Sequence, residues 1–241
     1  MTIKSILIFS LLISISSAQQ YPRWFLFQGK ISCPSVSVGI VKTGYYQEST
    51  QKSAVLHACE LAAIYQHAVV SGEQAFWATE SGTFALDAHY DIVYDTSLAE
   101  QYAEQFSVLD YFSDRHRTFV LAGDSSCSIA PEFFEKVSLK SIPKPQWVER
   151  TPSSPAKVFV VGFSEEYEYE ASSWIAAQNA AFKELARSIR SSQKSVVRSD
   201  EREQHDIRRE EIDVPMHDVR VEARWRDTKK KIYYVLLSMK K

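Results

Sequence analysis

Residues 157–189, KVFVVGFSEEYEYEASSWIAAQNAAFKELARSI, constrain this chain more than any other stretch, because their plan recurs once at a fixed distance. A β-branched run reaches a glycine, a polar turn with tyrosines follows, and alanines then recur at helical spacing. That is one strand, a connection, and a helix able to approach a sheet closely. Pro145-x-Trp147 stands 123 residues after Pro22-x-Trp24, Val161-Gly162 after Val38-Gly39, Ala177 after Ala54 and Ala181 after Ala58. Four landmarks in step without a gap read as a tandem duplication. Nearer the ends, Phe112 and Asp114 align with Trp225 and Asp227 at an offset of 113, and Phe119 with Tyr233 at 114. The first copy therefore holds roughly nine extra residues, assigned to the glycine-containing loop around residues 71–82.

The expected fold class is α+β: two tandem similar modules, each a helix packed on an antiparallel sheet. Residues 19–123 form the first module, 124–142 a linker with a possible helical turn at 131–137, and 143–241 the second module. In the first, residues 36–42 are a β-branched strand, and Ala54, Ala58, Leu61, Ala62 and Tyr65 mark a helix ending before Gly72. Residues 86–94 alternate as a half-buried strand, and residues 106–112 and 118–122 read as a hairpin. In the second, Trp174, Ala177, Ala181, Leu185 and Ile189 share one helical face. Val219, Val221, Ala223 and Trp225 alternate with charged residues, residues 227–231 turn, and residues 232–239 are apolar on both faces, as a central strand requires. Residues 187–211 hold few apolar side chains and read either as a helix extension into solvent or as a mobile excursion.

Residues 1–18 have the parts of a secretory signal: Lys4, a short apolar run over residues 6–15, and Ser16-Ser17-Ala18 before Gln19. The run is too short to span a bilayer, a retained anchor being the rival reading, and no later stretch reaches transmembrane length. The mature chain is thus expected to be exported, in the periplasm. Export permits disulfides, and with three cysteines one is left over. Cys59 lies on a helical face as a small buried residue, whereas Cys33 and Cys127 lie in loop-like surroundings and form the candidate disulfide.

The formal net charge of −2 is too small to suggest a nucleic-acid partner by itself, since phosphate recognition needs clustered Lys and Arg, and no nucleic acid is expected as a partner. Residues 1–124 are net −5 and the remainder net +3, a complementarity suited to orienting the halves. Residues 119–126, FVLAGDSS, look like the first block of the Gly-Asp-Ser esterases, but no block for an oxyanion hole follows, and Asp213 and His217 have one residue too many between them for the family's Asp-x-x-His. Ser125 is therefore expected in an ordinary turn at a strand end. There is no phosphate-binding glycine loop, dinucleotide fingerprint or zinc-protease motif, and the six histidines are scattered. No catalytic, cofactor-binding or metal-ligating residue is expected. Tyr45, Tyr46, Tyr167 and Tyr169, in the matching strand-to-helix connections, are the candidate partner surface.

The second module resembles the lipoprotein 20 family of bacterial envelope proteins, and through it the N-terminal domain of flagellar assembly protein T. The likeness is carried by Pro145-x-Trp147, the strand over residues 158–162, the helix ending Glu184-Leu185-Ala186, and the closing Trp225-x-Asp227 with residues 233–237. It implies a helix on an antiparallel sheet, export to the envelope and no catalytic residues. The chain departs from lipidated members in lacking their lipid-accepting cysteine, so association with the outer membrane is expected to be peripheral. The expected function is a non-enzymatic structural or protein-interaction component of the envelope, without cofactor, whose partners are envelope proteins. The alternative is a binder of a small ligand or cell-wall glycan in the inter-module cleft.

Overall fold

The computed structural model describes residues 19–33, 35–79, 82–194 and 208–241. The signal segment expected at residues 1–18 lies outside them. In chain order the elements are β1 (Gln20–Pro22), α1 (Arg23–Leu26), β2 (Val36–Val41), α2 (Gln47–Gln66), β3 (His67–Thr79), β4 (Gly82–Tyr94), α3 (Thr96–Gln105), β5 (Phe106–Ser113), β6 (Thr118–Asp124), β7 (Lys136–Ser138), α4 (Gln146–Glu149), β8 (Lys157–Glu165), α5 (Glu170–Lys194), β9 (Arg208–His217), β10 (Arg220–Asp227) and β11 (Ile232–Lys240), with short 3-10 turns between some of them. The protein is mixed α+β and every strand pairing is antiparallel. No helix among the described residues is long and apolar enough to cross a membrane.

Two three-stranded sheets share one plan. In β2-β6-β5 and in β8-β11-β10 the first strand is followed in sequence by the long helix that covers it, and the last strand to be made sits in the middle. β11 is buried along most of its length, as its apolar sequence demands. Helix α2 lies on β2 and β6, and α5 lies on β8 and β11. The glycines explain the close approach. A Cβ on Gly39 would strike the backbone of Ala54 and Ala58, and one on Gly162 would strike that of Ala177 and Ala181. Only hydrogen fits there, and small alanines on the facing helix turn let the two backbones come this close.

One large core spans both halves, with a small separate cluster of Ala54, Ala58, Val120 and Ala122 between α2 and β6. Rings cross from β6 to β11 in a row, with centroids 4.0 Å apart for Phe119 and Phe25, 5.2 Å for Phe25 and Trp174, and 4.8 Å for Trp174 and Tyr233. Helix α5 also touches β2, and Tyr65 of α2 stacks on Phe182 of α5 at 6.0 Å.

One expectation needs correction. Residues 71–79 and Gly82 lie in strands and not in a loop: β3 and β4 pair from Ala68 with Tyr94 to Thr79 with Gly82. Helix α2 ends before Gly72 as its spacing predicts, at Gln66, because His67 turns extended (φ −158°, ψ 124°) and β3 then pairs on both sides, with β4 and with β9. In the stretch 187–211, the helix extends to Lys194, as one of the two readings has it, and a strand starts at Arg208, with residues 195–207 outside those described. The connecting segment 124–142 is held against the N-terminal residues, since β7 pairs with β1 and Arg23 N donates to Glu135 O at 2.9 Å. Helix α3, which the apolar periodicity does not show, is nucleated by Asp95, whose carboxylate caps Ser97 N at 2.9 Å.

Candidate functional site

The connection after β2 and the connection after β8 each hold their backbone with a helix hydroxyl and send their rings outward. Gly44 N donates to Thr50 Oγ1 at 3.0 Å, and Tyr167 N donates to Ser173 Oγ at 2.8 Å. Tyr45 is 94% exposed, Tyr46 71%, Tyr167 56% and Tyr169 38%. Tyr45 and Tyr46 meet edge to face at 5.0 Å. The two connections are brought together across the halves, because Lys42 Nζ lies 3.6 Å from the centroid of the Tyr169 ring. All four candidate tyrosines thus stand on the surface, and Lys42 is the bridging residue that spacing alone does not reveal. A shallow groove lined by Phe163, Glu166, Tyr167, Asn179 and Lys183 continues from the second connection.

Behind this surface lies a buried polar junction that the sequence pattern conceals. The Glu170 carboxylate, in the first turn of α5, accepts from Tyr21 Oη, Gln19 Nε2, Arg117 Nη1 and, at 3.0 Å, Trp174 Nε1. Arg117 also donates to Asp114 Oδ2 at 3.1 Å and to Gln20 O at 2.8 Å, and its guanidinium lies 4.0 Å from the Tyr21 ring centroid. Burial, then the Glu170 carboxylate, raises the Tyr21 phenol well above its usual range. Burial pulls against the charged form of Arg117, but Tyr21, Glu170 and Asp114 outweigh it and raise its pKa. This junction welds the N-terminal segment, the β5–β6 turn and α5 together.

A cavity of about 380 Å³ opens where the halves meet, lined among others by Gln28, Tyr65, Tyr102, Lys157, Arg220 and Lys240. Gln28 leads from it to Arg224, a fully buried guanidinium that donates to Phe25 O at 3.0 Å, Gln28 Oε1 at 2.9 Å and Gln178 Oε1 at 3.2 Å. These partners are all neutral, and burial pushes the Arg224 pKa down to about 10. Asp218, on the rim, has a positive φ of 53°.

Cys33 and Cys127 meet sulfur to sulfur, with Cα atoms 5.6 Å apart and a sequence separation of 94. Cys59 is a buried free thiol whose pKa is raised by burial. Ser125 is exposed in the turn after β6, where Asp124 Oδ1 accepts from Ser126 N at 2.7 Å. Asp213 and His217 lie on β9, in another sheet. His57 Nδ1 sits against the Ile40 backbone, and burial lowers the pKa of the ring.

No protein-family model matches this chain, and neither a curated protein nor a solved structure matches it significantly.

Proposed function

We propose that the chain is a duplicated α+β unit of the lipoprotein 20-like kind and serves as an exported, non-enzymatic structural or protein-interaction component of the bacterial cell envelope. It works in the periplasm, with peripheral association to the outer membrane. The duplication is supported by the common strand order of the two sheets and by Gly39 and Gly162, each lying under a pair of alanines at the same offset. The interaction role is carried by one observation: four exposed tyrosines, two from each half, gathered where Lys42 joins the two strand-to-helix connections. Tyrosine gives a protein interface large apolar area at little rotamer cost, with a hydroxyl for specificity.

The test compares the chain with a variant carrying Tyr45→Ser, Tyr46→Ser, Tyr167→Ser and Tyr169→Ser, each immobilised and exposed to native envelope fractions. The expected result is a protein retained by the parent and lost by the variant at unchanged Tm. Equal retention by both, or none by either, counts against the reading.

A second reading, the binding of a small ligand or cell-wall glycan in the cleft between the halves, is favoured by the cavity beside Lys157, Arg220 and Lys240. Retention on peptidoglycan that survives the tyrosine substitutions and is lost in Arg220→Ala would select it.

A further inference from the structure

Of the four outer strands in the two similar sheets, three are blunted against further pairing. β5 carries a bulge between Val108 and Asp110, and β10 one between Val221 and Ala223. β2 is covered by side chains: His57 Nδ1 lies 3.0 Å from Ile40 N and 2.8 Å from Ile40 O, and Gln28 Nε2 donates to Val36 O at 3.4 Å. Soluble proteins protect edges by such devices because a row of unpaired N–H and C=O groups recruits another strand. β8 has no bulge, and the side-chain contact to its open backbone lies at its last residue, where Ser164 Oγ donates to Glu165 O at 3.0 Å, leaving residues 159, 161 and 163 uncovered. It is nine residues long, contains no proline and pairs with β11 without a break in register. Among the described residues, β11 is the one strand paired with it. Shallow grooves run along its open side, one bounded by Ala176, Asn179 and Ala180 and another by Glu184 and Ser188 of α5.

The strand is also complementary to itself. Gly162 faces α5, so the alternate residues Lys157, Phe159, Val161, Phe163 and Glu165 share the opposite face. Reversed about Val161, the strand sets Lys157 opposite Glu165, Phe159 opposite Phe163, and Val161 opposite itself. Each charge and ring pair then occurs twice, and all are of the favourable cross-strand kind. Phe163 is 63% exposed, Glu165 is exposed, and Lys157 keeps partial exposure while donating to Glu222 at 2.9 Å. Main-chain direction agrees. His57 meets both polar atoms of Ile40 on the open side of β2, and Phe163 holds the corresponding place in β8, 123 residues on. Residues 159, 161 and 163 therefore turn their N–H and C=O groups to the open side.

We propose that two copies of this chain pair through β8, antiparallel about Val161, to form a continuous six-stranded sheet in the order β10-β11-β8-β8-β11-β10. The contact is isologous and closes on itself, and it consumes the one undefended edge of the two sheets. The two Val161 residues become a hydrogen-bonded pair with Cα atoms about 5.5 Å apart.

Sedimentation of the purified full chain over a wide concentration range tests this, together with two variants. The expected mass rises with concentration to that of two chains. Glu165→Lys, which sets a lysine opposite Lys157 in both seam pairs, weakens association roughly tenfold. Val161→Cys cross-links to its own copy under mild oxidation, whereas Glu149→Cys does not. Three results overturn the proposal: a monomer at every concentration, a dimer indifferent to Glu165→Lys, or no cross-link through Cys at position 161. A strictly monomeric chain would leave the edge to a strand from another protein.

Discussion

Gly162 shows how much one residue can specify. Its missing side chain lets α5 settle onto β8, and an added methyl would collide with the helix backbone, which cannot rotate away as a side chain can. Gly162→Ala is therefore expected to destabilise the fold by about 1–3 kcal/mol, the usual cost of forcing atoms into a filled core. Urea unfolding followed by tryptophan fluorescence checks this, and the same substitution at exposed Gly44, where an added Cβ meets only the Thr50 hydroxyl and no backbone, serves as the milder contrast. Val161-Gly162 and Val38-Gly39 stand out in the sequence because glycine is scarce here, so a glycine inside a β-branched run is informative. Glu170 does not stand out. It is one acid among several in Glu165-Glu166-Tyr167-Glu168-Tyr169-Glu170, and only its placement against Arg117, 53 residues away, makes it buried and essential.

At the scale of elements, the strands and helices with strong internal periodicity form where their patterns put them: β2, β6, β8, β10, β11 and both long helices. β3 and β9 were hidden for opposite reasons. β3 continues directly from an alanine-rich helix with no punctuating residue between Gln66 and His67. β9 opens with Arg208-Arg209-Glu210-Glu211, a run that reads as solvated and becomes a strand through its pairing with β3, Arg208 opposite Phe76 to His217 opposite His67. The segment between the halves, read as a free connection, is held by β7 and by Cys127. With the cysteines 94 positions apart, closing that loop stabilises the fold by on the order of 4 kcal/mol in a chain-entropy account. Reduction is expected to lower Tm by several degrees and to raise the titratable thiols of the unfolded chain from one to three, measured by thiol assay with and without prior reductant. Three thiols without reductant would refute the bond.

Across the whole molecule, the two halves behave as one folding unit. The row of rings from Phe119 to Tyr233, the Glu170 junction and the paired β3 and β9 all cross the midline, so neither half has a complete core alone. Calorimetry is expected to show a single transition with equal calorimetric and van't Hoff enthalpies. Glu170→Gln, which leaves the buried Arg117 short of a carboxylate, is expected to cost about 3 kcal/mol while keeping that transition single. Two separable transitions would show that the midline contacts are incidental.

The sequence by itself determined what depends on neighbours a few residues apart: helix faces, strand alternation, the glycine and alanine spacing that sets helix against sheet, and the tyrosines standing in both connections. Tertiary structure alone decided that Lys42 joins those connections, that β3 pairs with β9, that Glu170 is buried among donors from three segments, and that β8 keeps an open edge. The reason is physical. Periodicity records which face of an element is dry, while hydrogen-bond partners and free edges depend on chain segments brought together from far along the sequence, whose identities no local pattern encodes.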